Sequence, residues 1–252
     1  MKNLLNLLGQ NKHIQRTPLN FAKNEGGSEG TMFIYDVIYD GDGWGVGAMD
    51  VIRAFAQLGE GGTMRMRYKC PGGDVMEAKA IVSAMREFRQ KGGRIIAQVD
   101  AVAASAASWL VLESDEIEIV DGAFLMIHEV AGSAFGSPGE LRRVADVFDL
   151  IQGSIVDVYV ARTGNAIEQV QAWMKDETWF GADDAVTKGF ADRVISRLSD
   201  QPAVSNMAWN LSAFNNVPDA LKQPPEPKAP DIDVAAIMEN NQRRLRLLDI
   251  NA

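Results

Sequence analysis

One hydroxyl stands among small apolar side chains in Ala101-Val102-Ala103-Ala104-Ser105-Ala106-Ala107-Ser108-Trp109. The run Ile95-Ile96-Ala97-Gln98-Val99 before it is β-like and Leu110-Val111-Leu112 follows, so Ser105 is predicted where a buried strand turns into a helix. A helix N-terminus offers partial positive charge and unpaired N–H groups, which favour an oxygen nucleophile and the oxyanion it generates. Acyl transfer by a hydroxyl also needs a base and a group that orients the base. Imidazole suits the first role because it titrates near neutrality. Of the two histidines, His13 lies in a polar arm, whereas His128 ends the apolar run Phe124-Leu125-Met126-Ile127. His128 is therefore the candidate base. For the acid, Asp146, Asp149 and Asp157 fall on a long helix with solvent-facing spacing, while Asp176 and Glu177 precede the apolar anchors Trp179 and Phe180, and either of these two can serve.

A second chemical feature is Cys70-Pro71-Gly72-Gly73-Asp74-Val75, between an alternating strand pattern (Thr63 to Lys69) and a helical one (Ala78, Ile81, Val82, Met85). Paired glycines permit positive φ and a close backbone approach, so this turn can aim a main-chain N–H at a ligand oxygen. No Gly-x-Gly-x-x-Gly and no P-loop spacing occurs, which argues against a dinucleotide fold and P-loop nucleotide hydrolysis.

The elements that must carry these residues alternate between strand and helix, which implies an α/β fold with a largely parallel sheet. Residues 1–30 read as a mobile arm, and order is expected from the strand Met32 to Tyr39. A helix over Ala48 to Leu58 is predicted to present Met49, Ile52, Phe55 and Ala56 on one face. Strands are expected at Glu116 to Val120 and Phe124 to His128. The helix after Ser137 has an N-cap, Pro138 at its first position and Glu140 completing a capping box; Leu141, Val144, Phe148, Ile151, Ile155 and Val158 form its apolar stripe and Gly164 its end. Shorter helices fit Ala166 to Lys175 and Ala182 to Lys188. Beyond Arg197 the pattern dissolves: five of nine prolines fall between Pro218 and Pro230, an extended linker before a helix over Val234 to Leu248.

Three motifs in order, Pro71-Gly72-Gly73-Asp74-Val75, Ala103-Ala104-Ser105-Ala106-Ala107-Ser108 and Met126-Ile127-His128, resemble the ClpP peptidase family, and more closely the ClpP-like head-maturation proteases of tailed phages and prophages. The similarity covers roughly residues 32 to 196. It implies a ClpP/crotonase-type α/β spiral with a projecting handle helix, Ser105 as nucleophile, His128 as general base, and Gly73 and Ala106 as oxyanion-hole donors. It places the triad acid at Glu177, where many relatives have Asp, with Asp176 in reserve. It further implies that the handle and the strand before it, near Glu129 to Phe135, guide a polypeptide substrate as an extended chain and join subunits in a homo-oligomeric ring, fed in some relatives by an ATP-dependent unfoldase. Cys70 and Ala101 replace the usual Ser and Gly; both are small, so the backbone path is expected to persist, with Cys70 a buried packing residue. Composition and resemblance together divide the chain into an arm (1–30), a peptidase domain (31–198) and a Pro-rich linker with a helical tail (199–252).

A net charge of −9 disfavours nucleic acid as a partner, because binding phosphates needs clustered Lys and Arg. One cysteine forms no internal disulfide, and no apolar run approaches membrane length, so a cytoplasmic protein without cofactor or metal is expected. Two rival readings remain: a crotonase-like acyl-CoA enzyme, which would dispense with the Ser and His pair, and a catalytically silent capsid assembly or scaffold protein. An α/β-hydrolase is disfavoured, lacking Gly-x-Ser-x-Gly and an acid ahead of the histidine.

Overall fold

A computed structural model of the chain describes residues 4–12, 19–24, 26–40, 45–196 and 210–222. These belong to one compact unit that ends at Lys222. The helix expected over Val234 to Leu248, His13 and most of the turn after Asp40 lie outside the described residues.

The chain runs α1 (Leu4–Gln10), β1 (Asn20–Lys23), β2 (Glu29–Ile34), α2 (Ala48–Leu58), β3 (Thr63–Cys70), α3 (Val75–Gln90), β4 (Arg94–Ala104), α4 (Ala106–Leu112), β5 (Glu116–Val120) and β6 (Phe124–Ile127). It continues through α5 (Pro138–Thr163), α6 (Ile167–Lys175), β7 (Thr178–Gly181), α7 (Ala182–Thr187), β8 (Arg193–Ile195) and a short 3₁₀ turn at Asp219–Leu221. The main sheet has the order β1-β2-β3-β4-β5-β8, parallel except for β1 against β2. This is the α/β architecture of the ClpP fold.

β4 is the hinge of the layout. Its first half, Ile96 to Val99, pairs with β5, and its last residues, Val102 to Ala104, pair with β6. Opposite, the β3 pairing slips between Tyr68 and Cys70. One long strand thus serves two partners, and β6 delivers its last residue, Ile127, beside the end of β4. Alternate burial along β3 places Met64, Met66, Tyr68 and Cys70 in the core, as a half-covered strand requires. Burial pushes the Cys70 thiol up to about 12, so it is a packing residue and not a second nucleophile.

Four expectations need correction. Within the arm assigned to residues 1–30, α1 and β1 are formed, and β1 adds an antiparallel edge to β2 because Leu19 and Phe21 pack on the core. The buried face of α2 is Ala48, Val51, Ala54, Phe55 and Leu58, whereas Met49 and Ile52 are exposed. Asp50, Arg53 and Gln57 mark one polar stripe, and the apolar arc left to the helix is wider than the face that is buried. The first part of the α5 stripe is open too: Leu141 is exposed, and burial within α5 is confined to Ile155, Val156 and Tyr159. A helix that projects from its domain has nothing to bury its tip against. Residues 129–135 form no strand, since no neighbouring strand supplies a ladder there. The α5 cap is as expected, with Ser137, Glu140 and Pro138 in their roles and Gly164 left-handed at φ 71°.

Candidate active site

Ser105 sits between β4 and α4 with φ 57° and ψ −126°, a conformation that side chains other than glycine rarely adopt. Three bonds hold that turn: the Ser105 N–H donates to the Met126 carbonyl at 2.9 Å, and the Ser105 carbonyl accepts from the Ser108 hydroxyl at 2.6 Å and from the Ser108 N–H at 3.0 Å. Ser108 lies 2.8 Å from the buried Tyr159 hydroxyl, which ties the turn to α5. Small neighbours are what make this possible. Ala103, Ala104 and Ala107 are fully buried, so a larger side chain at any of them would have to displace close-packed neighbours.

His128 follows β6 directly, and its Nε2 lies 2.7 Å from Ser105 Oγ. The parallel pairing of β6 with the end of β4 sets this distance, with Ala104 opposite Met126. Burial lowers the imidazole pKa below its ordinary value, and the nearby Glu177 charge opposes that shift. The ring is therefore kept neutral, the form a general base needs, beside a carboxylate able to stabilise the imidazolium once a proton arrives.

The Gly72-Gly73 turn closes over the same point. Gly72 has φ 92°, and a Cβ there would come within 2.6 Å of the Ala104 carbonyl oxygen and 2.7 Å of Ser105 Cβ. Gly73 has φ 152°, and its Cβ would overlap the Ile38 carbonyl. Both positions require glycine, and the loop is pinned by Ile38 N–H donating to the Gly72 carbonyl (2.8 Å) and Asp74 N–H to the Ile38 carbonyl (2.7 Å). Among the described residues, neither the Gly73 nor the Ala106 N–H meets an acceptor within the chain. Two main-chain donors are thus left for a ligand oxygen near the Ser105 hydroxyl.

Of the two adjacent acids, Asp176 is exposed at the end of α6 and Glu177 is almost buried, with φ 50°. The hydrogen bonds of Glu177 go to a segment far along the chain. Oε1 accepts from the backbone N–H of Asn215 (2.6 Å) and of Asn216 (2.7 Å), and Oε2 accepts from Asn215 Nδ2 (3.2 Å). None reaches His128, so within the described residues the two are coupled through charge alone. The ring of Phe214 stands edge-on to His128, with centroids 5.8 Å apart.

A cleft of about 560 Å³ opens on Ser105 and His128, lined further by Trp109, Phe148, Ile155 and Phe214. Its walls are mostly apolar, and residues 129–133 run along it. The Val130 N–H is held by Gln152 Oε1 at 3.0 Å and the Glu129 N–H by the Met174 carbonyl at 3.2 Å, which fixes the start of that extended run. Among the described residues no group of three His, Cys, Asp or Glu side chains is placed to hold a metal, and no helix is long and apolar enough to cross a membrane.

Phe214, Asn215, Asn216 and the Ser108–Tyr159 pair were not marked by the sequence reading. A signal for the first group exists: Leu211, Phe214 and Val217 recur every third residue between two stretches without periodicity.

Comparison with known proteins agrees with this geometry. Residues 48–198 match the Clp protease family, a span that holds Gly73, Ser105, His128 and Glu177 and stops short of Phe214. The chain is 28% identical over 128 residues to the ATP-dependent Clp protease proteolytic subunit 2 of Nocardia farcinica, a match covering 50% of this chain and 62% of that protein. It is 29% identical over 73 residues to the subunit 2 of Mycolicibacterium paratuberculosis (29% of this chain, 37% of that protein). The same identity over 73 residues is found with the proteolytic subunit 1 of Mycobacterium leprae (29% and 36%). Each match spans less than two thirds of the relative's length. Since the family match covers more than half of the chain and takes in the whole serine turn and its histidine, this chain belongs to the Clp protease family.

Proposed function

We propose that the protein is a serine endopeptidase in which Ser105 attacks a peptide carbonyl, His128 takes the hydroxyl proton and returns it to the leaving amine, and Glu177 stabilises the imidazolium. The observation that carries this reading is the 2.7 Å approach of His128 Nε2 to Ser105 Oγ beside two unspent main-chain N–H groups. The Gly73 and Ala106 N–H groups receive the oxyanion, and water activated by His128 then releases the acyl-enzyme. Substrate lies extended along residues 129–135, where main-chain pairing binds polypeptide with little regard to side chain. The exposed apolar positions of α5, Leu141, Val147 and Leu150, together with Phe135, are covered in a homo-oligomeric ring. The finer reading is a head-maturation peptidase of the phage type, acting on capsid or scaffold polypeptide and trimming its own chain. It is supported by the motif resemblance and by the Pro-rich stretch beyond the family match.

A fluorophosphonate probe tests the chemistry: it should label Ser105 in the wild type and fail to label His128→Ala. A folded wild type that stays unlabelled would return the protein to the scaffold reading. Self-trimming is read separately, from the intact masses of wild type and Ser105→Ala; identical termini count against it.

A further inference from the structure

The segment 210–222 lies outside the family match, yet it reaches the site. Leu211, Ala213 and Phe214 are buried with Val37, Val102, Ala104, Met126 and Leu7 in an apolar cluster of their own. Val102 and Ala104 belong to the end of β4 and Met126 to β6, the two strands that carry Ser105 and His128. The segment is also tied to the start of the chain: the Asn210 N–H donates to Asn11 Oδ1 (2.6 Å), Asn11 Nδ2 donates to the Asn210 carbonyl (3.0 Å), and Ser212 Oγ donates to Gln10 Oε1 (3.0 Å). Three consecutive residues then divide the site between them. Phe214 meets the His128 ring edge-on, and also Trp179 with centroids 5.9 Å apart. Asn215 and Asn216 hold both carboxylate oxygens of Glu177, and Asn216 Nδ2 donates to the Asp176 carbonyl at 2.7 Å, pinning the peptide before the left-handed Glu177.

We infer that residues 210–216 are part of the catalytic unit: Asn215 and Asn216 are positioning residues that fix the Glu177 carboxylate beside His128, through a strap tied to Gln10 and Asn11. This rests on the reading of Glu177 as the triad acid. The physical reason is that an almost buried carboxylate needs donors. Without them it turns toward water and stops supporting an imidazolium. Among the described residues all three donors to Glu177 come from the strap, and the residue at this corner with positive φ is the one the strap grips. The aromatic contact of Phe214 sets the other side, limiting how far the His128 ring can swing.

The experiment is a cycle of variants in the full chain, read as the second-order rate of fluorophosphonate labelling at Ser105. Asn216→Pro deletes one of the two main-chain donors, and Asn215→Ala with Asn216→Ala deletes the side-chain clamps and leaves every N–H in place. The first is expected to slow labelling by roughly tenfold or more, as loss of a hydrogen bond to a charged group does, and the second severalfold. Repeated in a Glu177→Gln background, both should change the rate by less than about twofold, because the carboxylate they act on is gone. Should Asn216→Pro fail to give a folded protein by circular dichroism and gel filtration, the double alanine variant alone decides. Rates equal to wild type overturn the inference, as does the same fold-loss with and without Glu177, which would mark the strap as a general support of the fold. An unlabelled wild type would instead sink the peptidase reading itself, and this inference with it.

Discussion

The two halves of the site are built in different ways. The proposed nucleophile and base come from adjacent strands, β4 and β6, whose parallel pairing places Ala104 opposite Met126 and so carries Ser105 and His128 into hydrogen-bonding range. The proposed acid comes from the corner between α6 and β7 and is gripped by a segment about forty residues further on, with Asn216 and Glu177 separated by 39 positions. Register in a sheet is fixed by every residue of the ladder, so the first half resists local change. The second depends on a few hydrogen bonds across the chain and couples to His128 by charge.

That contrast predicts unequal losses. Ser105→Ala and His128→Ala should each lower peptide hydrolysis by on the order of 10⁴ or more, leaving what binding and the oxyanion donors supply. Glu177→Gln should cost less, on the order of 10 to 10³, because the charge is lost while the Ser105–His128 bond stays. Equal losses for all three, measured as kcat/KM on one peptide substrate, would break the comparison. Between these lies Gly73→Ala. Its added methyl meets the Ile38 carbonyl at a φ of 152°, so the loop has to shift and one oxyanion donor moves off target. A fall in kcat on the order of 10²–10³ is expected, with KM changed much less.

A pH profile sharpens the same distinction. His128 must be neutral to accept the Ser105 proton, so activity is lost as pH falls through the histidine pKa. Burial sets that pKa below the ordinary imidazole value, and the Glu177 charge pushes it back up. Removing the charge takes away the upward push, so Glu177→Gln should move the acid limb of kcat/KM to lower pH even as it lowers the plateau. A limb that stays in place or moves up would mean that Glu177 does not face the histidine electrostatically.

How much of this was legible follows the same division. Ser105, His128, Gly73 and Ala106 stand in contiguous motifs whose local chemistry, small residues before a helix and paired glycines after a strand, is dictated within about ten residues. The choice of Glu177 over Asp176 rests on burial, which depends on what packs from outside. The strap was hidden because its grip uses main-chain N–H groups, which any sequence has, and because the three-residue recurrence of Leu211, Phe214 and Val217 marks an apolar face without naming the strand ends it packs on. Helix faces failed for a related reason. In α2 the exposed Met49 and Ile52 are as apolar as the buried Val51 and Phe55, so the neighbouring α3 and β2 decide which side turns inward.

The smallest effect tests whether the nucleophile half depends on α5. Ser108 is completely buried, donates to the Ser105 carbonyl at 2.6 Å and stands 2.8 Å from the Tyr159 hydroxyl, so one short chain of hydroxyls links the strained serine turn to the projecting helix. Tyr159→Phe removes only the outer member. The bond from Ser108 to Ser105 survives, so a stability loss of about 1 kcal/mol is expected, a fall in Tm of about 2–4 °C, with kcat changed by less than about threefold. Ser108→Ala removes both bonds and leaves the Tyr159 hydroxyl without its partner in an apolar surrounding. It should cost about 1–3 kcal/mol and lower the labelling rate of Ser105 further, because the Ser105 carbonyl at the φ 57° turn loses its hydroxyl donor and is left with the Ser108 N–H at 3.0 Å. If Tyr159→Phe slowed labelling as much as Ser108→Ala, the helix rather than the serine turn would be setting the nucleophile, and the sheet-fixed half of the site would be less self-sufficient than its strand register implies.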